Sequence, residues 1–96
     1  MREKLIEQKF VNEIKDRKGL CLKMTCPSFI GMPDRLVLLP KGKLGFVEVK
    51  RKGEKPRPIQ LSRHRLLKKL GFQVFVLDDA QHIKKIIDGI LGSDAE

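Results

Sequence analysis

Two acidic residues and a lysine, Asp34, Glu48 and Lys50, have side-chain types and a spacing that could perform chemistry. Glu48 and Lys50 are two residues apart in an alternating run, so in a β-strand their side chains share one face with Phe46. Taken alone, this run could be an edge strand with one solvated face and an ordinary Glu–Lys ion pair. The opposite face would carry small and aliphatic residues that suit a packed interior: Gly45, Val47 and Val49.

The second carboxylate, Asp34, changes the interpretation of this strand. It follows Pro33 and begins an apolar run, and a turn at residues 40–43 leads from that run into the Glu48 strand. Residues 34–39 and 44–51 are therefore predicted to pair as a hairpin, with Asp34 and Glu48 on adjacent strands. Ordinary turn chemistry, an aspartate after a proline, is the alternative for Asp34 alone.

Two carboxylates on adjacent strands can bind a hard divalent cation, with a backbone carbonyl as a further protein ligand. Mg²⁺ keeps several of its waters, so two carboxylates suffice. Such a cation stabilises the charge of a phosphoryl transition state and lowers the pKa of a bound water. Lys50 could orient or help to deprotonate that water and offset phosphate charge. The three residues therefore predict metal-assisted chemistry on a phosphate ester.

The first helix is predicted over residues 2–17, because Ile6, Phe10 and Ile14 recur every four residues. Glu3 and Glu7 project into the arc of these apolar residues, which is unusual for carboxylates. Acidic residues near a helix start also favour the helix macrodipole, which is the simpler explanation for at least one of them.

The remaining elements are a strand at residues 20–25, a helix at 58–70, a strand at 72–77 and a last helix capped by Asp78 or Asp79. The order of helix, three strands, helix, strand and helix predicts a single α/β domain over residues 1–96, with helices packed on a mixed sheet. The second helix is expected to turn its apolar residues toward the core: Ile59, Leu66, Leu67 and Leu70.

Composition favours a polyanionic partner. The chain has 96 residues and a formal net charge of +9, and it contains neither Trp nor Tyr. A stacking platform for single-stranded nucleic acid is therefore not expected, and contacts to a duplex backbone fit better. Cys21 and Cys26 match neither a redox pair nor a zinc site, and we interpret both as reduced thiols of a cytoplasmic protein. No apolar run approaches the length of a membrane span.

The residues of the candidate site also carry a resemblance to a known family. Pro33-Asp34 followed by Glu48-Val49-Lys50 matches the PD-(D/E)xK nuclease signature. The longer strings GMPDRLVLLP and FVEVKRKGEKPRPIQ, with Gly71-Phe72-Gln73-Val74, are similar to the VRR-NUC branch of that superfamily. Small stand-alone phage and bacterial members are the most similar. This resemblance implies a restriction-endonuclease-like core with a mixed central sheet.

The resemblance further implies an Mg²⁺- or Mn²⁺-dependent endonuclease. By the family pattern Asp34 and Glu48 are metal ligands, the Val49 carbonyl is a third, and Lys50 is the catalytic lysine. The family also places a glutamate of the first helix at the site, for which Glu7 is our first choice and Glu3 the second. Gln60 matches a family glutamine that organises the site by hydrogen bonding, although it could simply be a polar residue at a helix start.

Small members of this branch are associated with homodimers that cut branched DNA such as four-way (Holliday) junctions, in a bacterium or a phage-infected cell. A two-fold dimer would present two sites to two strands, and the isoleucine-rich last helix could form its interface. The alternatives are a non-catalytic basic DNA-binding module with the same fold and a small RNA-binding structural protein. Basic residues around the site are expected to contact phosphates: Arg35, Arg51, Lys52, Lys55, Arg57, Arg63, His64 and Arg65.

Overall fold

The computed structural model describes residues 2–92. Within them, four strands form one sheet and three helices pack on it, in the predicted order. No helix in this part of the chain is long and apolar enough to cross a membrane. The elements are α1 (Glu3–Asp16), β1 (Leu20–Lys23), β2 (Arg35–Leu39), β3 (Lys43–Val49), α2 (Pro58–Lys69), β4 (Val74–Leu77) and α3 (Ile83–Gly92).

The sheet has the order β1-β2-β3-β4. β1 and β2 pair antiparallel, β2 and β3 form the predicted hairpin, and β3 and β4 run parallel, joined through α2. A short 3-10 turn at Pro40–Gly42 closes the hairpin, with Lys41 at a φ of 69° and Gly42 at a φ of 74°. The mixed sheet is thus confirmed, and β3 is an internal strand, so the interpretation of Glu48 and Lys50 as part of a solvated edge is wrong.

Two boundaries differ from the expectation. β1 is four residues long and ends at Lys23, because the chain then turns into the loop that leads to Pro33. Asp79 does act as a cap, but of a short 3-10 turn at Ala80–His82 that precedes α3, where its side chain accepts a hydrogen bond from the Gln81 amide.

One face of the sheet holds the main hydrophobic core, between the strands and helices α1 and α3. The alternation along β3 places Val47 and Val49 on this face, as predicted. The isoleucines of α3 point into this core, so they are not available for contact with a partner. The buried residues of the main core are Ile6, Phe10, Ile14, Val37, Leu39, Val47, Val49, Leu77, Ile83, Ile86, Ile87 and Ile90.

The opposite face, which carries Phe46, Glu48 and Lys50, is covered by α2. Its apolar cluster is small, formed by Phe46, Leu67 and Val74 with partly buried neighbours. The prediction for the core-facing side of α2 is wrong, because only Leu67 of the four apolar residues expected to face the core is buried. The helix instead turns Gln60, His64 and Leu67 inward, while the others stay exposed: Ile59, Leu66 and Leu70.

Gly45 provides a test of the packing of α3 on β3. A Cβ atom at this position would lie 2.8 Å from Ile90 Cγ1, and Ile90 is fully buried. We expect Gly45→Ala to lower the free energy of unfolding by about 1–3 kcal/mol in urea denaturation, because the overpacked side chain has no space to move into.

Gly92→Ala is the matched control, since its added Cβ meets no atom within 4 Å. Equal stability of the two variants would show that α3 does not pack on the sheet at this point.

Candidate active site

Asp34 and Glu48 are cross-strand neighbours at the end of the hairpin. Arg35 pairs with Val47, so the next positions outward are Asp34 and Glu48, with both side chains on the α2 face. Asp34 Oδ2 accepts a hydrogen bond of 2.8 Å from the Val49 amide, which fixes its carboxylate beside β3. Burial, together with interaction with Asp34, raises the pKa of Glu48, so the two carboxyl groups affect each other directly. The structure thus brings together the acid pair that the sequence predicted.

Glu48 is fully buried, with 0 % of its surface exposed, and α2 supplies the groups that contact its carboxylate. Gln60 Nε2 donates to Glu48 Oε2 at 3.0 Å, and His64 Nε2 lies 3.2 Å from Glu48 Oε1. Gln60 and His64 are one helical turn apart, so they lie side by side on the helix. Each carboxylate oxygen therefore has its own partner, as burial of a charged group requires.

Gln60 serves two purposes at once. While its amide nitrogen contacts Glu48, its Oε1 accepts a hydrogen bond of 2.8 Å from the Arg57 amide at the start of α2. Both interpretations of this residue, a polar group at a helix start and an organiser of the site, therefore describe the structure. The first turn of α2 and the orientation of Glu48 are fixed by the same side chain.

The surroundings of Glu48 favour its neutral form when no cation is present. Burial and then the negative charge of Asp34 raise the pKa of Glu48 to about 8, and Lys50 opposes this shift. Burial, followed by the nearby Lys68, lowers the pKa of His64. The site therefore holds an excess of negative charge that either a proton or a cation can compensate.

Lys50 directly follows β3 and is 9 % exposed. Its amide donates to the Leu77 carbonyl at 2.9 Å, which continues the parallel pairing with β4 past the last residue of β3. Its ammonium group stabilises the ionised forms of both Glu48 and Glu3. Asp34, Glu48 and Lys50 consequently form one cluster at the end of β3.

The two candidate glutamates of the first helix, Glu3 and Glu7, have different surroundings. Glu7 Oε2 forms a 2.8 Å ion pair with Arg35 Nε, and Arg35 Nη1 also donates to the Cys21 carbonyl at 3.2 Å. For Glu3, partial desolvation and the charge of Asp34 raise the pKa, while Lys50 lowers it. Glu7, the first choice from the sequence, is thus paired with Arg35, whereas the charge of Glu3, the second choice, interacts with the cluster; which of the two would contact a cation stays a prediction.

The donor set suits a hard cation that retains water. Within residues 2–92 no group of three or more His, Cys, Asp or Glu side chains is placed to hold a metal on its own. Two carboxylates are present, and their mutual repulsion is visible in the raised pKa of Glu48. Mg²⁺ binds through one or two carboxylates and completes its shell with waters and substrate oxygens. The residues therefore fit Mg²⁺ or Mn²⁺ better than a metal that needs a full protein cage.

The basic residues divide into two groups. Arg35 and His64 were expected to contact phosphates, but Arg35 is paired with Glu7 and His64 is buried against Glu48, so neither is presented to a partner. Arg51 and Lys52 form long, exposed ion pairs that solvent weakens. The residues that remain at least partly accessible are Arg51, Lys52, Lys55, Arg57, Arg63 and Arg65.

Sequence reasoning missed two contacts of the site. The pairing of Glu7 with Arg35 joins residues 28 positions apart, and no local pattern indicates it. The contact of His64 with Glu48 had a signal, because Gln60, His64 and Leu67 recur at helical spacing and thereby define a second face of α2.

The fold and the site together define a class of protein: a restriction-endonuclease-like α/β domain with paired acids and a lysine at the end of an internal strand. No family model matches the chain. The chain is 46% identical over 90 residues to "Putative nuclease p44" of Acyrthosiphon pisum secondary endosymbiont phage 1, an alignment that spans 94% of this chain and 96% of that protein.

A solved structure described as a VRR_NUC domain superposes on the chain with a TM-score of 0.83. It is 33% identical in sequence, and the match covers 90% of this chain and 94% of that one. The chain therefore belongs to the VRR-NUC family.

The raised pKa of Glu48 predicts a stability that falls with rising pH. The folded protein keeps the Glu48 proton up to about pH 8, whereas the unfolded chain loses it near the ordinary pKa of 4.5. Wild-type protein in EDTA should therefore lose up to about 1.4 kcal/mol of unfolding free energy per pH unit in this window. Glu48→Gln should flatten the slope between pH 7.5 and 8, measured by urea denaturation at pH values where an ordinary histidine, with a pKa of 6.5, is largely neutral.

Glu13→Gln is the control, because Glu13 forms only a long surface ion pair with Arg17. A wild-type slope in Glu48→Gln would mean that Glu48 is already ionised in the folded protein.

Proposed function

We propose that the protein is an Mg²⁺- or Mn²⁺-dependent DNA endonuclease. The observation that carries this proposal is the placement of Asp34 beside a fully buried Glu48, with Lys50 in the same cluster. A protein that only binds nucleic acid gains nothing from two acids at its binding surface, because they repel phosphate unless a cation lies between them. Membership of the VRR-NUC family and the similarity to a phage protein named as a nuclease support it.

Asp34, Glu48 and the Val49 carbonyl would hold the cation. The Val49 amide points to Asp34, and in a β-strand the carbonyl of a residue points to the same side as its amide. When bound, the cation would supply charge stabilisation at the phosphate and a water of lowered pKa. Glu3 lies near enough to Asp34 and Lys50 to affect the same cluster through its charge.

The other residues of the cluster position these groups. Gln60 and His64 hold the two oxygens of Glu48, so the carboxylate meets a ligand in one orientation. The Lys50 ammonium can donate a hydrogen bond to a phosphate oxygen or to the attacking water, and its charge offsets that of the phosphate.

The proposed substrate is branched DNA, including four-way junctions, cut by a homodimer in the cytoplasm of a bacterium or a phage-infected cell. The net charge of +9 and the accessible basic side chains support a DNA partner. A protomer with one site needs a two-fold partner to cut two strands. The last helix no longer suits the interface, because its isoleucines are buried, whereas Leu20 and Leu22 of β1 remain exposed.

Lys50→Ala tests the catalytic assignment. Incubation with a labelled four-way junction and Mg²⁺ should show cleavage by wild-type protein and at least a roughly 100-fold slower rate for the variant, because charge stabilisation at the phosphate is lost. Binding of the same junction in EDTA should change little.

Lys85→Ala is the matched control, since it removes an exposed lysine of α3, the helix that packs on the opposite face of the sheet, and it should cleave like the wild-type protein. Full activity of Lys50→Ala would remove Lys50 from the mechanism. Wild-type protein that binds the junction but cleaves it with neither metal would indicate a DNA-binding module instead.

Asp34→Asn tests the metal assignment without any reaction. Calorimetric titration of Mn²⁺ should give an affinity lower by about tenfold or more, because one of two carboxylate ligands becomes neutral. Asp16→Asn, which alters an exposed acid at the end of α1, should bind Mn²⁺ like the wild-type protein. Unchanged affinity in Asp34→Asn would exclude Asp34 as a ligand.

A further inference from the structure

The loop that leads into Asp34 exposes two large apolar side chains. Phe29 is 40 % exposed and Ile30 is 66 % exposed, and they lie four to five residues before Asp34. Neither contributes to the two hydrophobic clusters of the fold. The two side chains are neighbours in one loop, and a contiguous exposed apolar surface can mark a site of interaction.

The loop is fixed to α2 by two contacts of Arg63 and by a close approach of its backbone at Gly31. Arg63 Nε donates to the Ile30 carbonyl at 2.7 Å, and the Arg63 guanidinium lies 3.8 Å from the centre of the Phe29 ring. Gly31 has a φ of +96°, and a Cβ on it would come within 2.9 Å of Ile59 Cγ1. The absence of a side chain at Gly31 therefore lets the loop lie directly on the helix. The two apolar side chains are presented on an ordered support.

The same stretch of α2 contacts Glu48, one of the two proposed metal ligands. Ile59 and Arg63 hold the loop, and the residues that follow each of them, Gln60 and His64, contact Glu48. The exposed apolar pair is thus connected to the site through one helical segment on one side and through the chain to Asp34 on the other.

We propose that Phe29 and Ile30 form a wedge that stacks against a DNA base unstacked from the duplex beside the cleaved phosphate. The wedge deepens the proposed nuclease function and rests on it. Among the polyanionic partners that a +9 chain attracts, DNA offers flat apolar faces between its phosphates once a base is unstacked. Arg63, stacked on Phe29, adds a positive charge next to the apolar surface and complements the phosphates that flank such a base. The substrate class is therefore DNA with an unpaired or loosely stacked base, as at a branch point.

Fluorescence of 2-aminopurine placed next to the branch point of a four-way junction tests the wedge without cleavage. In EDTA, binding of wild-type protein should change this fluorescence, because the base leaves its neighbours in the stack. Ile30→Ser and Phe29→Ser should each lose most of the change and bind the junction roughly tenfold more weakly, while binding to continuous duplex stays within about twofold of wild type.

Leu70→Ser is the matched control, because Leu70 is 65 % exposed at the far end of α2, and it should behave like the wild-type protein. Wild-type fluorescence changes in both wedge variants would overturn the proposal. So would a shift of Ile30→Ser to a smaller species in sedimentation velocity with an unchanged fluorescence signal, since the pair would then contact a second copy of the chain. Cleavage is measured separately in Mg²⁺, so a wild-type protein that unstacks the base without cutting refutes only the nuclease function.

Discussion

The burial of the Glu48 carboxylate in an internal strand is the constraint on which the site depends. A charged group at that depth is tolerated only with hydrogen-bond partners or an opposite charge. Gln60 and His64 supply the partners, and Lys50 supplies the charge. The side of α2 that carries Gln60 and His64 faces the sheet for this reason. In this orientation several apolar residues of the helix remain exposed to solvent.

The sheet consequently divides its two faces between stability and chemistry. The face against α1 and α3 is filled with aliphatic side chains and Phe10, and it forms the main core. The face against α2 keeps only a small apolar cluster beside the acids. In a domain of this size the first face has to supply most of the stabilising burial, which frees the second for groups that reduce stability. Glu48 is such a group, because its raised pKa reflects a cost of ionisation in the folded state.

Much of this arrangement was predictable from local patterns. The alternation along β3 assigned Val47 and Val49 to the core and Glu48 to the opposite face, and the short turn after β2 indicated the hairpin. The orientation of α2 was not predictable in this way. A count of apolar residues does not reveal that the helix must also provide hydrogen-bond partners for the buried Glu48 carboxylate. The pairing of Glu7 with Arg35 was hidden as well, since this ion pair joins distant residues and forms only in the folded chain.

Composition indicated a polyanionic partner, but it did not indicate which groups of the protein recognise the structure of that partner. The absence of Trp and Tyr argues against a platform on which several bases stack. The single pair of Phe29 and Ile30, held by Arg63, would instead contact one displaced base. The phosphates would bind separately, through charge. Phosphate contacts carry no direct information on the bases, because every duplex offers them. In the proposed function, a preference for branched DNA would come from groups that contact a base that a continuous duplex keeps stacked. The exposed Phe29 and Ile30, in the loop that leads to Asp34, offer an apolar surface for such a base.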